Sequence, residues 1–521
     1  MHKLLWPEIG LAAATLLGMS LWVVRYRFPL MQAHGIVQRG FVTLILILAY
    51  MGCMIFARLL HRYVLSRFAL SLVIKISIFA ILGPIGIVFV AQWLRNSGLQ
   101  VVKRPDHSVE HVVLISVDTL RCDFISAYGS PYIRTPVIDQ IAAEGALFKQ
   151  AVSLIPETAP SHMSMLTGLS PLTHGVHLNG YDLPQGIPTV TTYLRKAGFR
   201  TGGFVSGNPL QAYTFLDRGF QRYDDNFCWI DFFDGSYCGR FVAELPFLTR
   251  DLARDAPSAT DSALKWLRKN IDSPFFLFLH YYDPHFPYGG HVKSHHTDRA
   301  APEDLPHQKK LYGIEVETVD AQIGRIVAFL KEKGVYDKCL LIFTSDHGEN
   351  LGEHGHFYGH TSLYEPVIRV PMIVRYPGKI VPGTVITQQV SLTDIFRTIL
   401  DATKVESKQA PNSIDLVGLA NGRFDSPHLA VVSNSYRKGA KHSVRTNEWK
   451  LIRYETIQKT YELYHLSSDP SELINVYTKE IGIARQLEPF LNRQLGLQVN
   501  REVDGLSPAQ IENLKALGYI N

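Results

Sequence analysis

Three places along this 521-residue chain carry residue types suited to metal and acid–base chemistry. Asp118 directly follows the apolar run His111–Val117 (HVVLISV), and Asp346-His347 lie just past a second run, Cys339–Phe343. His285 comes shortly after a third, Phe275–His280 (FFLFLH). Carboxylate and imidazole are hard or borderline ligands, and Asp118, Asp346 and His347, brought together at one sheet edge, would hold a divalent cation. Taken singly, an Asp at a strand end often caps the next helix. The set, drawn from distant parts of the chain, is what points to a metal.

The elements that must position these groups alternate in type. Each of the three runs is short, apolar and rich in β-branched or aromatic residues, as expected of a buried parallel strand. Between them the pattern predicts helices near Thr135–Gly145, opening on an N-cap and Pro pair, and at Thr189–Ala197. A strand is expected at Thr201–Val205. Ile314–Gly334 has apolar residues at 316, 319, 323, 326, 327 and 330, the spacing of an amphipathic helix. Strands alternating with helices give an α/β domain on a mainly parallel sheet with helices on both faces, whose functional groups gather at the carboxyl ends of its strands. Beyond about residue 425, His428–Val432, His442–Thr446, Trp449–Tyr454 and Tyr461–His465 read as a small antiparallel sheet. A helical tail, Ile481–Val499, follows it. Residues 290–310 are polar and His-rich, and read as a surface loop in which His295 and His296 are outlying metal candidates.

Three apolar runs, about 4–24, 41–60 and 69–94, each reach the roughly 20 residues that cross a bilayer as helix. No A-x-A-like cleavage site follows the first. The expectation is an integral membrane protein, in a cell or inner membrane, organised as a membrane anchor (1–104), a catalytic domain (105–424) outside the cytoplasm, and a C-terminal subdomain (425–521). Flanking Lys and Arg barely discriminate the orientation. The net charge of +5 is small, and no basic cluster with interleaved aromatics exists, which excludes a nucleic-acid partner. Five cysteines form no CxxC pair; Cys228 and Cys238 either bridge in an oxidising compartment or pack as thiols. Nothing in the pattern sets an oligomeric state.

The stretch Pro156-Glu157-Thr158-Ala159-Pro160-Ser161-His162, running on to Leu166-Thr167-Gly168, resembles the signature of the sulfatase family in the alkaline-phosphatase superfamily: C/S-x-P-S-R, then a helix ending L-T-G. Further matches come in the family's order. They are Val117-Asp118-Thr119-Leu120-Arg121, then Phe278-Leu279-His280 through Pro284-His285-Phe286-Pro287, and Ser345-Asp346-His347-Gly348-Glu349 with His354, His360 and Glu365. Glu462-Leu463-Tyr464 with Asp469-Pro470 closes the series. The resemblance covers nearly all of residues 110–475. It implies one divalent metal ion (Ca, Mg, Mn or Zn) on Asp118, Asp346 and His347, with Thr158 and Thr119 as further ligands, and Thr158 as nucleophile. It also implies His285 and His360 at the transferred group or leaving oxygen, and Arg121 and Asn208 near substrate, with Arg121 supporting the metal carboxylates; His162, after the Pro160 turn, either hydrogen-bonds the substrate as a catalytic residue or caps its helix. Asp283, His285, His354, His356 and His360 are candidates for a second metal.

The chain departs from the family at telling positions. A threonine cannot be oxidised to formylglycine, but its hydroxyl can attack directly beside a metal. His162 stands where the signature has Arg, His360 where a lysine is usual, and Ser206-Gly207-Asn208 where a G-K-W-H-like motif is expected. Three readings follow: a phosphoester hydrolase or headgroup transferase working beside the lipid bilayer, a sulfuric ester hydrolase, and a metal-stabilised binding protein without turnover. The threonine and the apolar N-terminus favour the first.

Overall fold

The computed structural model describes residues 109–225, 253–289, 304–423, 428, 430–437 and 439–496. All of them belong to one compact unit. The three long apolar runs, Cys228, Cys238, His295 and His296 lie outside the described residues, and so do the membrane and disulfide expectations that rest on them. Among the described residues no helix is long and apolar enough to cross a membrane.

Eight strands form the main sheet: β1 (His111–Val117), β2 (Ala146–Val152), β3 (Arg200–Phe204), β4 (Arg222–Asp224), β5 (Phe275–Tyr281), β6 (Cys339–Ser345), β7 (Arg369–Arg375) and β8 (Thr384–Ser391). Their order is β4-β3-β5-β1-β6-β7-β2-β8. The strands from β4 to β6 are parallel, whereas β7 runs against both β6 and β2. The mainly parallel sheet expected from the sequence therefore carries one reversed strand.

The central strands are buried on both faces. Val112 and Leu114 of β1 enter one apolar core with Phe276, Phe278, Leu340 and Ile342. Val113, Ile115 and Val117 enter the other, with Leu277, Leu279, Leu341 and Phe343. Alternation in a strand sends successive side chains to opposite faces, so a strand covered on both sides must read as an unbroken apolar run. Each such Val, Ile or Leu contributes roughly 1.5–3 kcal/mol on leaving water.

Helices α1 (Pro136–Ala143), α2 (Thr158–Thr167), α3 (Val190–Lys196), α4 (Ala256–Asn270) and α5 (Leu305–Glu332) connect these strands, and α6 (Asp394–Ala402) follows β8. Helix α5 begins nine residues before the sequence pattern indicates and takes up part of the expected polar loop. Its first turns carry exposed His307 and Lys310, which hide the period, and Pro306 opens the helix. The C-terminal strands β9 (Val431–Ser435), β10 (Lys441–Arg445), β11 (Trp449–Tyr454) and β12 (Thr460–His465) form an antiparallel sheet in simple sequence order. Helix α7 (Ile481–Leu495) covers it through Ala484, Leu487 and Leu491.

Candidate active site

Parallel register brings the ligand set together. Val117 pairs with both Tyr281 and Ser345, so Asp118 leaves β1 level with Asp346-His347 leaving β6. The Asp118 amide donates to the Tyr281 carbonyl at 2.8 Å, which holds the end of β1 to β5. Ser153 and Ser161 both donate their hydroxyls to the Asp346 carbonyl, at 2.5 and 2.8 Å, and so tie the segment around Thr158 to the end of β6.

Asp118, Asp346 and His347 are completely buried, and their ligand atoms lie within 4.8 Å of one another. Asp118 Oδ1, Asp346 Oδ2 and His347 Nε2 have no hydrogen-bond partner among the described residues. Buried polar groups are nearly always paired, so three orphaned acceptors converging on one point fit a cation. The electrostatics agree. Burial, then the facing carboxylates of Asp346 and Glu349, hold Asp118 well above the usual carboxylate range. Burial lifts Asp346 to about 6 and depresses His347 to about 3. Like charges gathered in a buried site disfavour ionisation until a cation compensates them. Among the described residues this is the one cluster of its kind. Of the second-metal candidates, Asp283 accepts from the Ala256 amide at the start of α4, and His354 stacks on Tyr364 at 3.6 Å.

Thr158 is the first residue of α2, a helix buried on all sides. Its hydroxyl donates to Asp118 Oδ2 at 3.4 Å, and the same oxygen lies 3.4 Å from His280 Nε2. The helix dipole adds positive potential at this end. Gly168 terminates α2 at φ 70°, where a Cβ would meet Ala410 and Phe396 at under 3 Å.

Four histidines share one arrangement. Nδ1 of His162, His285, His347 and His360 lies 2.7, 2.6, 3.1 and 2.6 Å from the carbonyls of Thr158, Phe286, Gly348 and Pro156. A carbonyl can only accept, so each Nδ1 bears the proton and each Nε2 of the neutral ring is a lone pair. His162 uses its lone pair on Ser116 Oγ at 2.9 Å and is fully buried, so the structure sets it against α2 as a brace. His347 and His360 stack at 4.3 Å, and His285 stands edge-on to His360 at 5.7 Å. Burial, with His347 and Arg437 adding to it, holds His360 well below the ordinary imidazole range.

Thr119 sits at φ 52°, a costly conformation for a β-branched residue. Its amide donates to Asp346 Oδ1 and its hydroxyl to the Pro284 carbonyl at 2.9 Å, linking the ends of β1 and β5. Arg121 pairs with Asp123 and Glu353 and donates to the Glu349 carbonyl, so it anchors the loop after β6. Asn208 is buried, donating to Gln211 and accepting from Tyr213.

Three participants were passed over in the sequence. His280 and Glu349 stand inside quoted motifs, where their type was the available signal. Glu349 accepts from Tyr288, Phe286 and Gly359, and burial raises it to about 7. Arg437, in the turn after β9, pairs through Nε and Nη2 with the carboxylate of Glu157, next to Thr158. A lone arginine in a turn carries no motif.

The sulfatase family matches residues 110–405, and the family described as N-sulphoglucosamine sulphohydrolase, C-terminal, matches residues 352–496. An arylsulfatase of Clostridium perfringens is 25% identical over 445 residues, spanning 71% of this chain and 90% of its own. Human arylsulfatase K is 26% identical over 446 residues, spanning 73% and 81%. A phosphonate monoester hydrolase from Silicibacter pomeroyi shares the fold with a TM-score of 0.61 at 21% identity, covering 76% of this chain and 97% of its own. A protein solved with its substrate D-glucosamine-2-N,6-O-disulfate also has a TM-score of 0.61, at 19% identity over 75% and 98%. With its orphaned ligand set at the strand ends and more than half its length matched, the chain belongs to the sulfatase family, as an ester-bond hydrolase of that family.

Proposed function

We propose that the chain hydrolyses sulfate monoesters outside the cytoplasm, with Thr158 as a direct nucleophile beside a divalent cation. The observation carrying this reading is the buried Thr158 hydroxyl, 3.4 Å from Asp118 Oδ2 and next to three orphaned ligand atoms. The arylsulfatase relatives favour sulfate over the phosphoester to which the threonine and the apolar N-terminus point. The fold-sharing protein whose substrate is a disulfated glucosamine leans the same way. Charge adds a physical reason against a phosphate monoester. Asp118, Asp346, Glu157 and Glu349 are buried, and a divalent cation with Arg437 leaves no positive surplus against them. A phosphate monoester dianion would bring two charges into that interior, a sulfate monoester only one.

When bound, the cation lowers the pKa of a hydroxyl beside it and screens the ester's anionic oxygens. Thr158 gives up its proton and its Oγ1 forms a bond to sulfur, while the bond from sulfur to the alcohol oxygen breaks. His285 and His360 rest as neutral rings with Nε2 as lone pair, so each enters as a proton acceptor. Donation to the leaving alkoxide follows once one has taken a proton. Water then attacks the threonine sulfate, restores the hydroxyl and releases sulfate; an acceptor alcohol in its place would make the reaction a transfer.

A second reading, hydrolysis of a phosphodiester or phosphonate monoester, is favoured by the hydroxyl nucleophile and by the fold shared with a phosphonate monoester hydrolase. The test offers the full chain aryl sulfate, aryl phosphate and diaryl phosphate in turn, with Mg²⁺, Ca²⁺, Mn²⁺ or Zn²⁺. Sulfate cleavage fastest, and lost in Thr158→Ala, is the expected result. Faster diester cleavage would transfer the assignment to the second reading, and silence on every ester would end both.

A further inference from the structure

The pocket positions where the family signature places cations are filled here by neutral side chains. His162 is buried between Ser116 and the Thr158 carbonyl, and His360 is a neutral ring fixed on Pro156. An anionic ester nonetheless needs a positive group to receive it.

The C-terminal sheet delivers one. Strand β9 is knit to the chain just ahead of the nucleophile: the Asn434 amide donates to the Leu154 carbonyl at 2.8 Å and the Ser433 hydroxyl to the Ser153 carbonyl at 2.6 Å. From the two ends of the β9–β10 turn, Ser435 Oγ and Lys441 Nζ both donate to the Thr361 carbonyl, at 3.1 and 3.0 Å. The turn is thereby pinned beside His360 on one side and the nucleophile segment on the other. Arg437 lies in it. Its Nη2 donates to Glu157 Oε2 at 2.9 Å and its Nε lies against Oε1 as an ion pair, so the carboxylate holds the guanidinium from one side. Glu157 is 2% exposed while Arg437 is 14% exposed, so the carboxylate is sealed and the cation sits at the rim.

We propose that Arg437 is the cation that receives the anionic sulfuryl group, oriented for it by Glu157, so that the C-terminal sheet completes the active site. This deepens the sulfate-ester reading and rests on it for the identity of the group, while anion binding can be read apart from turnover. Lysine would keep the charge without the planar guanidinium; glutamine would keep a donor toward Glu157 without the charge.

The experiment titrates the full chain with inorganic sulfate by calorimetry in the presence of Mg²⁺, for wild type and for Arg437→Ala, Arg437→Gln and Arg437→Lys, and measures kcat and KM on aryl sulfate in parallel. Sulfate affinity is expected to fall on the order of 10²-fold in the Ala and Gln variants, to recover partly in Lys, and to recover partly in Ala on adding guanidinium ion. Mg²⁺ affinity is expected to stay within about twofold of wild type, as befits a residue outside the ligand set. If the Ala variant does not fold, the Gln and Lys pair carries the comparison. Sulfate affinity unchanged in Gln, a parallel loss of Mg²⁺ affinity, or no sulfate binding by wild type would each overturn the proposal. Sulfate binding that behaves as expected in a chain cleaving no ester would leave Arg437 in place and remove the hydrolase reading instead.

Discussion

At the scale of residues, His162 shows how one substitution changes a role. In the signature its position carries an arginine; here the imidazole donates to the Thr158 carbonyl and accepts from Ser116, with no exposure. Replacing it by Ala leaves a buried hydroxyl and a buried carbonyl short of partners and opens a cavity. His162→Ala should cost about 2–4 kcal/mol, read as a lowered denaturant midpoint. A midpoint equal to wild type would mean that the ring is not a brace. Asp118, Asp346 and His347 were legible because each stands at the end of an apolar run, where sheet geometry collects ligands. The brace was not, since which ring nitrogen holds the proton depends on carbonyls that only the fold brings near. Arg437 was hidden for a related reason: its partner Glu157 is 280 positions away.

Among the elements, the loop after β6 is under the tightest geometric demand. A Cβ on Gly348 would lie 2.0 Å from the Pro366 carbonyl oxygen, and the Gly348 amide donates to the Val367 carbonyl at 2.7 Å. The close backbone approach fixes His347 one residue away. Gly348→Ala should therefore destabilise the chain by more than about 2 kcal/mol and weaken Mg²⁺ binding at least tenfold by calorimetry. A variant that binds Mg²⁺ like wild type would show that the loop can yield. Strands β1, β5 and β6 were readable from composition, because burial on both faces leaves no polar position. Strand β2 was not: Lys149 and Gln150 interrupt it, and its pairing slips between Phe148 and Ala151. Strand β7 shows no sign of its reversed direction in sequence, since direction is set by the connection.

Across the whole molecule, two sheets are joined by buried charge. Glu365, at the foot of the loop region, pairs with Arg445 and Lys450 of the C-terminal sheet, and Lys450 also reaches Glu472. Buried groups also set the response to acid. His111, 3% exposed and stacked on Phe275 at 4.3 Å, is pushed down to about 4 by burial, against Glu110 and with Lys338 nearby. Its folded value lies below its unfolded one, so the unfolded chain takes up the proton first. The stability this ring supports is intact above pH 6.5 and is lost as pH falls from 6.5 toward 4. Raised carboxyls such as Asp320, at about 6, act in the opposite sense over part of that range, so the term is isolated by difference. The stability gap between wild type and His111→Phe should shift by on the order of 3 kcal/mol in favour of the variant between pH 7 and pH 4. A gap independent of pH would mean that His111 protonates freely in the fold.

The central claim is that Thr158 itself bonds to the transferred group. The most direct measurement is acid quenching of the Mg²⁺-loaded chain during its first turnover of aryl sulfate, followed by accurate mass analysis of the peptide carrying Thr158. A fraction of this peptide is expected to gain one sulfuryl group, and Thr158→Ala to show neither adduct nor turnover. Sustained turnover in Thr158→Ala at the wild-type rate, with the peptide unmodified throughout, would contradict the claim.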